Sequence, residues 1–189
     1  MQRSAFYMNQ CRIDDELFEQ FTRYCNQSDN RTDNARRAEL LGFGGREVMI
    51  APGAIVRVVQ PEAVGSHIFI GLYSYLNGSI TIEDDVLIGP HCCLTAGHHK
   101  FDPATGSFSA RTDHDYDNSI RIGRGSWLAA GVTVTAGVSI GRANLVCANA
   151  VVTKNTPDYA IMAGVPARQV GHIDPETGEY HWFGRESGK

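Results

Sequence analysis

An all-β solenoid, a parallel β-helix, is the architecture this sequence predicts, and three observations predict it. Residues 122–157 divide into six consecutive hexads: Ile122-Gly-Arg-Gly-Ser-Trp, Leu128-Ala-Ala-Gly-Val-Thr, Val134-Thr-Ala-Gly-Val-Ser, Ile140-Gly-Arg-Ala-Asn-Leu, Val146-Cys-Ala-Asn-Ala-Val and Val152-Thr-Lys-Asn-Thr-Pro. Each opens on Ile, Leu or Val, its second residue is small, and its fifth is small or β-branched except at Asn144. The same spacing recurs upstream at Ile70, Leu76, Ile82, Ile88 and Leu94.

A period of six suits neither an amphipathic helix nor a long alternating strand. It suits a short strand and a turn, restarted in every hexad. Side chains alternate along a strand, so position one and the preceding position five share a face. Those two positions form the inward set. Three such strands close a triangular coil, and stacked coils pair backbone to backbone at about 4.8 Å. Each coil buries its apolar side only against its neighbours, as in other solenoids. The hexads 70–99 and 122–157, with an irregular one at Tyr116, make about four coils. Imperfect hexads at Ile50 and Val56 add about one more, for a prism of about five coils and roughly 24 Å.

In chain order, residues 1–45 are not repeat-like and predict two short helices. The first spans Asp14 to Gln27, with Leu17, Phe18, Phe21 and Tyr24 at helical spacing. The second is capped by Thr32 or Asp33 and stopped after Leu41 by Gly42, Gly44 and Gly45. This segment is expected to cover an open end of the solenoid. The solenoid domain runs over 46–170, its register blurring between Pro61 and Ser66. Between the hexad 94–99 and Tyr116 lie sixteen residues, which is no multiple of six, so 100–115 leaves the prism as a loop. Loops this long in a compact repeat are commonly functional, and Phe101 and Phe108 argue against disorder. Beyond Pro157 the chain exits through an extended segment with a turn. The tail, 171–189, interleaves Tyr180, Trp182 and Phe183 with polar residues and reads either as a frayed end or as a packing arm.

A net charge of −4 and a pI near 5.9 leave no basic footprint for nucleic acid. No apolar run approaches the roughly 18 residues that would span a membrane, and no signal-peptide core is present, so a cytoplasmic protein is expected. The five cysteines show no zinc spacing and no C-x-x-C pair. Cys92, at a fifth position, is expected to be a small inward filler.

The hexads, the pair His98-His99 at the loop entry, and the ending Val152-Thr153-Lys154 … Ala163-Gly164-Val165-Pro166-Ala167-Arg168 together resemble the hexapeptide-repeat acyltransferases. Within them the chain is most similar to sugar O-acetyltransferases of the galactoside, maltose and nodulation-factor type, and to polysaccharide O-acetyltransferases. The resemblance covers about Gly65 to Val170. It implies a left-handed helix, acetyl-CoA as donor, no metal, and a homotrimer with active sites between subunits. Left-handedness rests on the resemblance alone, since crossovers in general are right-handed.

Acetyl transfer to a sugar hydroxyl needs a base for its proton, a donor for the thioester oxyanion and a channel for CoA. Histidine suits the first task near neutral pH. Hexad register puts His98 at position five, pointing in, and His99 at position six, pointing out; the matched family position for the catalytic histidine also falls on His99. His99 is therefore the expected base and His98 the second choice. The resemblance makes Asn77 an acceptor contact. Register places it one coil from His99 and roughly 14 Å along the face, so a shared site would span an interface. The family's acidic acceptor contact has no clear counterpart between Asn77 and Ile82. Asp102, Asp113 and Asp115 of the loop can accept hydrogen bonds from sugar hydroxyls. The resemblance assigns CoA to Trp127, Ala130, Ala148, Thr153, Lys154 and Arg168. Trp127 offers a flat wall, Lys154 and Arg168 can meet phosphates, and the Ala130 N–H is the candidate oxyanion donor.

Other readings stay open. The acceptor can be an amino group of an amino sugar, amino acid or antibiotic. A zinc enzyme similar to the γ-class carbonic anhydrases would draw on His91, His98, His99 and His114. A non-catalytic scaffold is the third.

Overall fold

The computed structural model describes residues 14–112 and 117–184, and over them the chain is a left-handed parallel β-helix. Its first face stacks parallel rungs at Met49–Ile50, Phe69–Ile70, Leu87–Ile88, Trp127–Leu128, Leu145–Val146 and Ala160–Ala163. The second face stacks Ile55–Val58, Tyr75–Gly78, Cys93–Ala96, Thr133–Val134 and Val151–Val152. The third holds Ile80–Ile82, Ile120–Ile122 and Ser139–Ile140, with Val64 bridged to Ile82. Six rungs on the first face compare with the expected five or so coils, because the exit segment Ala160–Ala163 pairs in parallel with Leu145–Val146 and adds a rung.

The inward set is the one the period implies. First positions from Ile70 to Val152 are buried, and so are fifth positions such as Ile80, Val86, Cys92, Val132 and Ala150. Burial pushes the Cys92 thiol up from its ordinary value, as befits a filler. Position four carries the turn: Tyr73, Asp85, His91 and Asn149 take positive φ there, and Gly125, Gly131 and Gly137 do so without a side chain to strain. Position two is small for a different reason. A Cβ on Gly123 would lie 2.6 Å from the Arg142 nitrogen of the next coil.

Asn144, the exception at position five, is buried and fully bonded. Its amide nitrogen donates to Arg142 O and Pro157 O, and its oxygen accepts from the Thr156 hydroxyl at 2.7 Å. These bonds satisfy a corner where the coil shortens, Val146 pairing with Met162 instead of a residue eighteen further on. The core above it is mostly apolar, with Ser126 and Ser74 as buried polar residues at fifth positions. Replacing Leu128, which is fully buried, by alanine is expected to cost about 2–5 kcal/mol in urea denaturation, because rungs on both sides leave the cavity little room to collapse.

The N-terminal helices are Asp15–Gln27, capped by Asp14, and Arg31–Leu40. The second is capped by Asn30, whose side chain accepts from Asp33 N, and not by Thr32 or Asp33. Asn30 wins because the chain is extended there, whereas the other two already lie inside the helix. This second helix packs on Met49–Ile50 and sends Ala38 into the core, closing that end. At the other end Ala160–Ala163 turns into an antiparallel strand, Arg168–Ile173, which pairs with Tyr180–Trp182. The polar tail thus contributes a strand to the first face as far as it is described.

The loop departs from expectation in detail. Ile70 to Ile88 and Leu128 to Val146 are 18 residues apart along the chain, but Ile88 to Leu128 is 40. Ile122 lies directly on Ile82, so no side of the prism intervenes between Leu94 and Ile122, and the irregular hexad at Tyr116 adds none. Tyr116 itself lies outside the described residues, as do Cys11, Asp113, His114 and Asp115. The chain leaves the second face after Ala96, forms the antiparallel hairpin His99–Asp102 with Ser107–Thr112, and rejoins at Ile120.

Candidate active site

The hairpin sets both histidines. Its tip is closed by Asp102, whose carboxylate accepts from Ala104 N and whose carbonyl accepts from Gly106 N, each at 2.9 Å. One Asp102 oxygen is therefore committed to the turn. Phe101 and Phe108 pack edge to face at 5.4 Å and stiffen the two strands while remaining exposed. At the base of the hairpin His99 Nδ1 lies 2.9 Å from the carbonyl oxygen of Ser109. A carbonyl only accepts, so that bond requires a proton on Nδ1, and in the neutral ring Nε2 is then the acceptor.

His98 is exposed, which corrects the inward placement that its hexad position predicts. The strand ends at Ala96, two residues earlier, and once pairing stops the alternation no longer aims side chains at the core. His98 instead lines a groove of about 440 Å³ with Thr95, Gly97, Thr133, Val134, Thr135 and Ala136. It also borders a second groove of about 300 Å³ with Asp117, Asn118 and Ala136. The Ser119 hydroxyl, and then its N–H, hold the Asp117 carboxyl below its ordinary range.

Asn77 stands on the second face in register with Arg57 on one side and Thr95 on the other. Thr95 and Thr135 line the groove of His98 together, and Thr135 donates to Val152 O next to Thr153. Asn77 and Thr153 thus lie along one polar column. The groove threonines and the Ser109 carbonyl were not picked out from the sequence. The threonines could have been, since Thr95 and Thr135 both occupy position two of a hexad and flank an outward face; the carbonyl has no sequence signal.

Trp127 lies elsewhere. It is 47% exposed on the first face, in register with Leu87 and Leu145. Ala130 and Ala148 occupy successive turns between the first and second faces, both exposed. Their neighbours are engaged, Ala129 N donating to Val146 O and Gly131 N to Pro90 O, whereas among the described residues the Ala130 N–H has no acceptor. The turn Gly164–Ala167 closes over Val151, with Val151 N donating to Gly164 O and Ala167 N to Val151 O. It delivers Arg168, exposed, beside that edge, and Thr153 and Lys154 are exposed at the far end of the second face. One chain therefore gathers Ala130, Ala148 and Arg168 along one edge and Asn77, Thr153 and the histidine groove on the second face, and leaves Trp127 on another face. His91 stacks on Tyr73 at 5.6 Å in a first-to-second-face turn, away from the hairpin. Among the described residues no three His, Cys, Asp or Glu side chains come together to hold a metal ion.

No protein-family profile matches the chain. It is 31% identical over 126 residues to the galactoside O-acetyltransferase of Escherichia coli K12, covering 62% of this chain and 60% of that enzyme. It is 31% identical over 130 residues to nodulation protein L of Rhizobium meliloti, covering 65% of this chain and 69% of that protein. Among solved structures, a maltose O-acetyltransferase from Clostridium difficile 630 superposes with a TM-score of 0.61 at 22% identity, covering 84% of this chain and 86% of that one. A hexapeptide-repeat acetyltransferase from Vibrio cholerae gives 0.54 at 24% identity, covering 84% and 90%. With the hexad register realised as stacked coils and these relatives beside it, the chain belongs to the hexapeptide-repeat acetyltransferases.

Proposed function

We propose that the protein transfers an acetyl group from acetyl-CoA to a hydroxyl of a sugar or polysaccharide, with His99 as general base. The observation that carries this reading is the His99 Nδ1 to Ser109 O bond, which fixes the ring and presents Nε2 as a proton acceptor. Nε2 takes the proton of the attacking hydroxyl and returns it to the CoA sulfur as the thioester breaks. The unengaged Ala130 N–H meets the negative charge that develops on the thioester oxygen. The residues along the first-to-second-face edge suit an extended pantetheine arm, because Ala130 and Ala148 are small and exposed, and Arg168 on that edge and Lys154 at the far end of the second face supply cations for its phosphates. Galactoside and maltose as named acceptors of relatives support a sugar hydroxyl here over an amino group.

The same reading makes the working unit a homotrimer with sites between subunits. Outward side chains on two faces of one prism diverge, so Trp127 can join the histidine groove only from a second subunit. The row of exposed Leu87 and Trp127 with half-buried Leu145 gives that subunit an apolar surface to cover. Light scattering at micromolar concentration is expected to give three times the chain mass, and a monomeric mass would overturn the shared site. In this reading 46–170 is the catalytic domain, 1–45 its helical cap and 171–189 an appendage. A second assignment of the base, to His98, is favoured by its place in the groove. A CoA-release assay over neutral sugars, oligosaccharides and amino acceptors tests the transfer itself. Release that requires a hydroxyl acceptor is the expected result.

A further inference from the structure

The second face carries an asymmetry of charge. Among the residues of its five described strands none is acidic, and Arg57 is the only charged side chain, although the chain as a whole is acidic. Several other arginines are engaged: Arg121, Arg124 and Arg142 with carboxylates, Arg37 and Arg46 with carbonyl oxygens. The exposed Arg57 guanidinium has no side-chain partner among the described residues. It is in register with Asn77, which is in register with Thr95 of the histidine groove. Parallel pairing in register puts the three side chains on the same surface, so Arg57 stands two rungs, roughly 10 Å, from Thr95. Tyr75 shares that surface two residues before Asn77 and is half-buried, offering an apolar wall beside the amide.

We infer that Arg57, with Asn77 and Tyr75, forms a subsite for an anionic group on the acceptor, which makes the preferred acceptor an acidic saccharide. The inference rests on the transferase reading above and narrows its substrate class. A guanidinium offers paired donors that match either a carboxylate or a phosphate. The sugar ring lies along the column with its reacting hydroxyl toward the hairpin and its negative group toward Arg57. An acceptor with no charge gains nothing from Arg57, and a cationic one is repelled. Because Arg57 is exposed, the preference is screened by salt.

The test compares glucose, glucuronic acid and glucose 6-phosphate as acceptors for the full chain with acetyl-CoA. One of the two anionic sugars should exceed glucose in kcat/KM by about tenfold or more, and which of them does so separates a carboxylate from a phosphate ligand. Arg57→Gln should erase that preference by raising KM for the anionic sugar alone, Arg57→Lys should restore part of it, and added salt should reduce it. Equal use of the three sugars by the unaltered protein, or an equal loss on all three in Arg57→Gln, overturns the subsite. Calorimetric titration of the same sugars keeps the two readings apart. Anionic-sugar binding that survives His99→Ala and is lost in Arg57→Gln supports the subsite even where no transfer occurs, and then only the transferase reading fails. Absence of anionic-sugar binding to the unaltered protein overturns the subsite while leaving transfer to neutral sugars intact.

Discussion

Replacing His99 by alanine is expected to lower turnover by about 10²–10⁴-fold, the contribution of a positioned general base, while thermal unfolding stays where it was. The side chain is exposed and bonds one carbonyl of its own hairpin, so little packing is lost with it. CoA affinity should not change, since the residues assigned to CoA lie on the prism and its turns. His98→Ala is the matching control. Its exposure removes the stability loss that an inward histidine would have brought, so this variant should also fold normally and should change turnover much less. If His98→Ala is instead the inactive, well-folded variant, the base is the histidine that lines the groove. If both variants turn over normally, general-base transfer at this hairpin is wrong. A circular-dichroism melt run beside the kinetics separates chemistry from folding in each case.

Excision of the whole hairpin should have a larger effect on function with a small one on the fold. Removing residues 98–119 joins Gly97 to Ile120 and restores a six-residue step from Leu94 to Ile122, the step that Val134 to Ile140 already takes. Gly97 then falls at position four, where Gly131 and Gly137 adopt positive φ. Ile120 and Ile122 keep their partners on Ile80 and Ile82, so the prism closes. Acetyl transfer should fall to background, because the base and the wall of the acceptor groove leave together. CoA binding measured by calorimetry should persist. Retained transfer would remove the hairpin from the mechanism, and lost CoA binding would mean that the cofactor channel does not run along the first-to-second-face edge.

The solenoid was legible because its information is local and repeated. Each hexad states the same thing about one strand and one turn, so Ile122, Leu128 and Val134 could be placed inward without knowing what they touch. Burial of all three confirms it. Even the exception at Asn144 was visible as an exception, though not the bonds to Thr156 and Pro157 that accommodate it. Register failed at His98 because it extrapolated a strand beyond its last paired residue. Counting by six also cannot tell a loop from a loop plus a hexad, so it predicts a side at Tyr116, whereas Ile122 already lies on Ile82.

By itself, then, the sequence determined the period, the inward columns, the outward place of Trp127 and the existence of an insert. All of these follow from side-chain alternation within a few residues. Tertiary structure alone decided which coil stacks on which, and with it everything that depends on contacts distant in the chain. Only in the folded chain does Ser109 O meet His99, does Thr135 join Thr95 in one groove, and does Arg57 stand in register with Asn77 with no ion pair to a carboxylate among the described residues. These contacts are set by the stacking of rungs and the return of a hairpin, which no local pattern encodes.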